Sequence, residues 1–430
     1  MALKHNHAAW LRQWTPLITQ FFSFEVAIQA TAFITSVLLV RLLDKGEYAL
    51  YTLANTIQGA LLLMSDNGIS SGVSSIGGRV WHDRGRFGQL INTALSLRNA
   101  LARITVPILV PLFVWLLHRN HATPLQIVLL VVAVLLCFYF QMTSTLLMAI
   151  PRLHLRMGFL QRSYLGTGLL RLALLAALSL VFLDASVALF VTAASFWAQY
   201  YVARRSIPDL ADLSASVNAE DRREIVGLIK TQVPNSIYYC FQGQLTIWLV
   251  SIIGSAEGVA DVGALGRVGM IFAMVGAFMG LVVHPRYARV QSRDLLVRRY
   301  WQIVAGYTAL TVVSIAIAAL FPRQLLWILG DKYAHLGGEM LLMVAVSVLG
   351  AIYGVTWHLN ATRGWIISPW LSIPVGLVTQ ASLIWVLGVN SVRDVLWLGL
   401  LSAIPGIALN FWVANRGFGR MSAAPAATAI

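Results

Sequence analysis

Long apolar runs alternate with short polar segments along nearly the whole chain. A helix crosses the hydrocarbon core of a bilayer with about 20 mostly apolar residues, and the runs match that length. They are continuous and lack the two-residue alternation of transmembrane β-barrel strands. The pattern therefore predicts an all-α integral membrane protein with about twelve transmembrane helices. The predicted helices cover residues 17–43, 48–68, 94–117, 125–150, 164–183, 186–203, 228–253, 262–283, 301–321, 340–360, 366–388 and 395–414.

The composition agrees with a membrane location. Of the 430 residues, 58% are hydrophobic and only 11% are charged, whereas a soluble domain has about 25% charged residues. The first apolar run is long enough to stay in the membrane, so we expect no cleaved signal peptide. Both cysteines lie inside apolar runs, which does not favour a disulfide framework.

The chain lacks the motifs of a nucleotide or metal site. No Gly-x-x-x-x-Gly-Lys-[Ser/Thr] loop is present, and the histidines do not have the spacing of metal ligands. We therefore expect no cofactor, and transport would depend on an ion gradient (H⁺ or Na⁺) or on downhill flow of the substrate.

The positive charge is distributed unevenly between the two sides of the membrane. The formal net charge is +14, and the loops on the side of the two termini carry about three times as many Lys and Arg residues as the opposite loops. By the positive-inside rule, this predicts cytoplasmic N- and C-termini for a multi-pass protein of the bacterial cytoplasmic (inner) membrane. The charge then indicates no nucleic acid partner, and anionic lipids are the expected partners of the cytoplasmic loops.

The longest polar loop divides the predicted helices into two sets of six. Since six is even, both sets enter the membrane in the same direction, and a pseudo-twofold axis along the membrane normal is expected. A weak internal repeat between Leu39–Ile57 and Leu249–Val268 places Glu25 opposite Asn235. We predict a six-helix bundle over 1–205, a cytoplasmic linker over 206–227, a second six-helix bundle over 228–414 and a disordered cytoplasmic tail over 415–430.

Short motifs mark several of the turns between the predicted helices. RLLDKGEYALYTLA (Arg41–Ala54) contains the first outer turn, and SDNGISSGV (Ser65–Val73) lies at the inner end of the second helix. LLWILGDKYAHLGG (Leu325–Gly338) leads into a helix that ends in LNATRG (Leu359–Gly364). With the helix count, these stretches resemble the polysaccharide (O-antigen/exopolysaccharide) flippase family of the multidrug/oligosaccharidyl-lipid/polysaccharide (MOP) superfamily.

The resemblance implies a transporter that works by alternating access. Such a flippase translocates a polyprenyl-diphosphate-linked oligosaccharide to the outer face of the inner membrane, for assembly of O-antigen, capsule or exopolysaccharide. Glycosyltransferases and a polysaccharide polymerase are then expected partners. The sequence departs from the family pattern at Ala49, which replaces a glycine, and at Asn67, which interrupts an apolar step.

Three arginines in the apolar runs are candidates for binding the diphosphate. Arg171 lies roughly 13 Å into the fifth predicted helix, which is deep for snorkelling. Arg98 and Arg103 belong to the third. Because a buried charge is costly unless it faces protein or water, we predict that they line a central cavity. The alternatives are a structural pair for Arg171 and snorkelling to the interface for Arg103.

Three other titratable residues are candidates for ion coupling. Glu25 is the only carboxylate well inside the first predicted helix, where it either binds a proton or cation or neutralises an arginine. Asp66 is either such a site or a packing residue at the inner end of the second helix. His358 can titrate near neutral pH, although a lone histidine near a helix end is more often interfacial.

Three amide side chains on the seventh predicted helix are candidates for sugar contacts. Asn235, Gln242 and Gln244 can hydrogen-bond sugar hydroxyls. Hydrogen bonds between helices would explain the same residues equally well.

Three other functions are left open by the sequence. A multidrug/cation antiporter of the same superfamily would favour an acidic cavity, whereas buried arginines here outnumber buried carboxylates. A membrane-embedded polysaccharide polymerase or ligase would carry a large outer loop with catalytic Arg or His, and these outer loops are short. A membrane scaffold would tolerate loss of the charge at Arg171. We predict a transporter and not an enzyme.

Overall fold

The computed structural model describes residues 5–278, 283, 287, 290, 292–365 and 367–423, and all regular secondary structure in these ranges is helical. A short 3₁₀ helix covers Asp331–Tyr333. The α-helices are α1 (His5–Leu42), α2 (Lys45–Asp66), α3 (Ile69–Val80), α4 (Arg84–Arg119), α5 (Pro124–Leu147), α6 (Ala149–Leu153), α7 (Met157–Leu178), α8 (Ala185–Ser206), α9 (Ala219–Ile253), α10 (Ala256–Phe278), α11 (Arg293–Leu320), α12 (Pro322–Leu329), α13 (Gly337–Ala361), α14 (Pro369–Leu387) and α15 (Val392–Ala423).

The predicted all-α membrane fold is confirmed. Each predicted span overlaps a long helix, and eight helices in the described ranges are long and apolar enough to cross a membrane. The other predicted spans lie on α2, α7, α9 and α10, which have 22, 22, 35 and 23 residues. Their polar residues lower the mean hydropathy, but their lengths reach the roughly 20 residues that a bilayer requires.

A break in the backbone separates α2 from α3. Asn67 and Gly68 have φ values of 35° and 88°, in the left-handed region, which ends α2 after Asp66. The helix then resumes at Ile69. A side chain at Gly68 would be strained by this φ and would also meet Gln232 at 3.0 Å. The sequence SDNG therefore marks the helix break between α2 and α3.

Glu47 joins the starts of three helices at one end of the protein. One carboxylate oxygen accepts a hydrogen bond from Gln126 Nε2 at 2.7 Å, and the other accepts from the backbone N–H of Ala185 at 2.9 Å. These residues lie at the starts of α2, α5 and α8. α1 ends just before the start of α2, and α7 ends just before the start of α8. Both helices therefore end near Glu47 and run roughly parallel.

The chain divides into two compact units, unit 1 (Met1–Phe241) and unit 2 (Gln242–Ile430). The division lies within α9 and not in the predicted linker 206–227. Residues 207–218 lie against unit 1, and 219–227 form the first turns of α9. The predicted linker is thus packed structure, because its apolar residues complete a core that the other helices of unit 1 leave open.

That core lies at the arginine-rich end of unit 1. Ile207, Leu210 and Ala211 from the connection and Ile225 and Ile229 from α9 are buried there. Their neighbours come from α3, the start of α4, the α5–α6 junction, α7 and the end of α8. The first turns of α9 therefore bury their apolar face against unit 1.

Polar contacts hold residues 207–218 in place. Asn92 donates to the carbonyl oxygens of Leu213 at 3.0 Å and Ala215 at 2.7 Å. The Ser214 hydroxyl and backbone N–H donate to Asp212 Oδ1 at 2.6 and 2.9 Å, and they hold the pKa of the Asp212 carboxyl below its usual range. The segment is a defined turn rather than a loose connection.

We expect Gly88→Ala to loosen this turn. A Cβ at Gly88 would overlap the backbone of Asp212, including its carbonyl oxygen, so the turn or α4 must shift. The expected loss of stability is about 2 kcal/mol, as for an overpacked core. Gly78→Ala is the control, because a Cβ there meets nothing within 4 Å. Equal apparent Tm values for the two purified variants would contradict the close approach.

Unit 2 has its own core at its arginine-rich end. A buried cluster joins α11, α13 and α15, and it consists of Tyr287, Leu296, Tyr300, Val304, Tyr307, Ile352, Val355, Leu359, Ala414 and Phe418. Arg363 donates to the carbonyl oxygens of Tyr287 and Val290, and Asn360 donates to that of Asn410 at 2.8 Å. α15 extends to Ala423, so residues 415–423 of the predicted disordered tail are helical. Residues 424–430 lie outside the described residues.

Candidate functional site

Arg98 is neutralised inside unit 1. Its side chain is 4% exposed and forms an ion pair with Asp66, which closes α2. It also donates to Ser70 Oγ of α3 at 2.8 Å and to the Met142 carbonyl oxygen of α5 at 2.7 Å. Ser70 donates to the same Asp66 oxygen at 2.7 Å. Four helices therefore meet at one guanidinium group.

This geometry revises the interpretation of both residues. The positive charge of Arg98 is matched by Asp66, so it does not require an anionic substrate. The Asp66 carboxylate is likewise occupied by Arg98 and Ser70. Asp66 fits the packing alternative, and Arg98 is its structural partner rather than an unpaired cation.

Arg171 and Arg103 have different surroundings. Arg171 is half-buried on α7, and Arg103 is exposed on α4 beside Ile104, which is 61% exposed. Neither forms a hydrogen bond or ion pair with another residue in the described ranges. The structural pair considered for Arg171 is thus not seen there, although its charge lies within electrostatic range of the Cys137 thiol. Arg171 is the better candidate for an external anion, because exposure of Arg103 is equally consistent with snorkelling.

A cavity of about 290 Å³ opens between α7 and α8 of unit 1. Its polar lining consists of Arg162, Ser163 and Thr167 from α7 and Gln199 from α8, and Phe159 adds an aromatic ring. Gln199 is 6% exposed. The rest of the lining is apolar, so a guanidinium group, two hydroxyls and an amide border a mainly apolar space.

The sequence pattern does not predict this cavity. Arg162 is close to the start of α7, where an arginine is expected at the membrane interface. Helical spacing is the signal for part of the lining, since Ser163 and Thr167 are four residues apart and lie along one side of α7. Arg171 follows Arg162 by nine residues, which corresponds to roughly 13 Å along the helix.

Glu25 lies on the helix that packs beside α7. It is half-buried and accepts a hydrogen bond from Gln29 at 3.1 Å. α1 and α7 touch where a Cβ at Gly168 would meet Thr31 at 3.2 Å. Glu25 and Arg162 each precede that contact by six residues, so on parallel helices both lie about 9 Å from it, at the same height.

The remaining candidates are not gathered into one site. Gln242 accepts a hydrogen bond from Gln380 of α14, which fits the interhelical alternative. Gln244 and Asn235 are half-buried, and His358 is exposed with its ring 4.9 Å from that of Trp357. Among the described residues, no group of His, Cys, Asp or Glu has the arrangement of a metal site.

The fold has known counterparts among solved structures. No protein-family model matches the chain, and no curated protein matches it at the level of sequence. An inward-facing multidrug resistance MATE family transporter of the MOP superfamily aligns with a TM-score of 0.68 at 15% identity, over 94% of this chain and 100% of the other. An outward-facing structure of such a transporter gives a TM-score of 0.64 at 14% identity, over 94% and 95%. A eukaryotic MATE transporter gives 0.62 at 11% identity, over 96% and 99%.

These identities are low, so the likeness establishes the fold alone. The three proteins are described as transporters, and two of them as members of the MOP superfamily. The predicted membrane fold is therefore shared with these transporters. The polysaccharide flippase branch stays a prediction.

Proposed function

We propose that this chain, which has the fold of MATE transporters of the MOP superfamily, is an alternating-access flippase for a polyprenyl-diphosphate-linked oligosaccharide. The observation that carries this proposal is the positive charge on α7, which no described carboxylate neutralises. Arg162 is exposed at the edge of the α7–α8 cavity, and Arg171 lies deeper on the same helix. A membrane protein keeps such charges where they meet protein, water or an anionic substrate.

The chemistry of the substrate matches that of the cavity. Guanidinium groups bind phosphate oxygens through paired, charge-assisted hydrogen bonds. Ser163, Thr167 and Gln199 supply donors and acceptors of the kind that sugar hydroxyls use. The polyprenyl chain needs no polar partner and remains in the bilayer.

The two arginines lie at different depths on α7. If the arginine-rich end faces the cytoplasm, as the positive-inside rule predicts, Arg162 meets the headgroup first. Arg171 lies roughly 13 Å deeper, on the opposite face of α7 because nine residues make two and a half turns, so it would act at a later stage of transport and not in the same cavity. Glu25, at the height of Arg162 on the neighbouring helix, is our candidate for coupling to H⁺ or Na⁺.

The test is substitution of Arg171. We expect Arg171→Ala to lower the rate of lipid-linked oligosaccharide flipping in reconstituted vesicles by about 10- to 100-fold, the cost of losing a charge-assisted bond. Arg171→Lys keeps the charge but not the paired geometry and should be partly active. Arg156→Ala, which removes an exposed charge just before α7, is the control.

The expression level decides how the result is interpreted. Wild-type flipping by an Arg171→Ala protein that is present in the membrane at normal amounts would remove Arg171 from the mechanism. Loss of flipping in both Arg171→Ala and Arg156→Ala would show a general effect of charge rather than a binding site.

A second candidate function is multidrug/cation export. It is favoured by the matched structure described as a multidrug resistance transporter and by the half-buried carboxylate of Glu25. An exporter of this kind should raise resistance to cationic drugs in a sensitised host, and Glu25→Gln should abolish that resistance. The flippase predicts no such resistance and a defect in surface polysaccharide instead.

A further inference from the structure

We propose that the arginine-rich end of unit 2 binds the headgroup of an anionic phospholipid between α11 and α15. This site is separate from the α7–α8 cavity and does not depend on the transported substrate. It is built by two helices whose facing ends carry exposed arginines and tryptophans.

Three contacts bring the two helices together. Arg293 Nε, at the start of α11, donates to the Phe418 carbonyl oxygen of α15 at 3.1 Å. Tyr300 meets the Phe418 ring edge-on with centroids 5.4 Å apart. Trp301 stacks on Phe411 with centroids 5.5 Å apart and an angle of 26° between the rings. The start of α11 and the end of α15 therefore form one surface.

That surface is strongly positive. Residues 293–301 and 410–421 together contain five arginines and a single carboxylate, Asp294. Asp294 lies 3.6 Å from Arg293, and its side chain is 93% exposed. The other four arginines are exposed, and no carboxylate among the described residues pairs with them: Arg298, Arg299, Arg416 and Arg420. An anionic partner would relieve their mutual repulsion.

The same surface carries the features of a membrane interface. Trp301 and Trp412 are 44% and 43% exposed, and the guanidinium of Arg416 lies 3.8 Å from the ring centre of Trp412. Exposed tryptophans of this kind lie at the headgroup level of a bilayer. Further along α11, Val312 and Val313 are 62% and 54% exposed, as expected where acyl chains cover a helix.

A phospholipid fits this arrangement better than a soluble anion. Its phosphate matches the arginines, and its acyl chains lie against the apolar face that continues from them along α11. Basic pockets between transmembrane helices on the cytoplasmic side are known to bind anionic headgroups. Inorganic phosphate would satisfy only the charges.

The experiment measures lipid binding to the full chain in detergent by native mass spectrometry. Phosphatidylglycerol should bind the wild-type protein more tightly than phosphatidylcholine does. The double variant Arg298→Gln/Arg416→Gln should lose roughly fivefold in affinity for each arginine removed. At constant ionic strength, inorganic phosphate should not displace the lipid.

Arg323→Gln is the matched control. Arg323 is an exposed arginine of unit 2 that follows the other end of α11, about 40 Å away along a 28-residue helix. The Arg323→Gln variant should bind phosphatidylglycerol with the same affinity as the wild-type protein. An equal loss in this control, or an unchanged preference in the double variant, would overturn the site.

Salt provides a measurement that does not depend on the variants folding. Binding of phosphatidylglycerol to the wild-type protein should weaken as salt rises, because exposed charges are screened. Binding that is independent of salt would overturn the proposal, as would displacement by inorganic phosphate at constant ionic strength.

Discussion

Asp66→Asn is expected to destabilise unit 1 by about 3 kcal/mol, because it leaves the guanidinium of Arg98 buried without its counter-charge. The Arg98 side chain is only 4% exposed, whereas that of Asp66 is 31% exposed, so water offsets only part of the lost negative charge. For a unit of this size, the apparent Tm should fall by roughly 6–12 °C. The measurement is thermal unfolding of the purified protein in detergent.

A double-mutant cycle separates the pair from its surroundings. Arg98→Met fills a similar volume without charge, so Asp66→Asn should cost much less in that background than in the wild type. Asp209→Asn removes an exposed carboxylate of the same unit and should leave the apparent Tm unchanged. Additive effects of the Asp66 and Arg98 substitutions would refute a coupled buried pair.

The effect should extend beyond the two residues. Asp66 closes α2 immediately before the backbone break at Asn67 and Gly68, and Ser70 belongs to the helix that follows. The Arg98 network therefore fixes the direction in which α3 leaves α2. We expect Asp66→Asn to raise hydrogen exchange in α3 before the rest of unit 1.

The long helices were predictable because the bilayer imposes their length and apolarity. α3, α6 and α12 were not, since they have only 12, 5 and 8 residues and lie between the long spans. Their faces are buried by tertiary contacts that no local pattern reveals. Hydropathy therefore predicts the transmembrane helices but not the short helices that lie between them.

The arginines show the same difference between what a local sequence pattern predicts and what tertiary packing decides. Arg98 and Arg171 both interrupt apolar runs, and the sequence placed both in one cavity. The structure distinguishes them through Asp66, which is 32 positions from Arg98 and becomes its partner only when α2 packs on α4. Arg162 is exposed, as its position near a helix end suggests, but the sequence does not reveal that α8 forms the second wall of a cavity beside it.

Polarity also misplaced the division between the halves. The segment 206–227 is polar enough to predict a linker, yet its apolar residues are buried in unit 1. The contact that secures it, between Arg86 and Asp221, joins residues 135 positions apart. Sequence polarity reports whether a loop is hydrated, but not whether it is packed.

Arg86→Ala is expected to release the first turns of α9 from unit 1. Both terminal nitrogens of Arg86 donate to the Asp221 carboxylate, at 2.5 and 2.6 Å, and the Asp221 side chain is 2% exposed. Loss of the Arg86 guanidinium leaves the buried Asp221 carboxylate without its ion-pair partner, at a cost of about 3 kcal/mol in folding free energy. Hydrogen exchange should rise over residues 219–229 and the apparent Tm should fall.

Arg79→Ala is the matched control, because it also removes an arginine that pairs with the first turns of α9. Arg79 pairs with Glu224, also on α9, but the two side chains are 62% and 42% exposed, so this ion pair should contribute less than about 1 kcal/mol. If both variants raised hydrogen exchange over residues 219–229 equally, the burial of the Arg86–Asp221 pair would not explain how α9 is held against unit 1. Because α9 continues from these turns across the boundary into unit 2, Arg86→Ala should also slow transport, while Arg79→Ala should not.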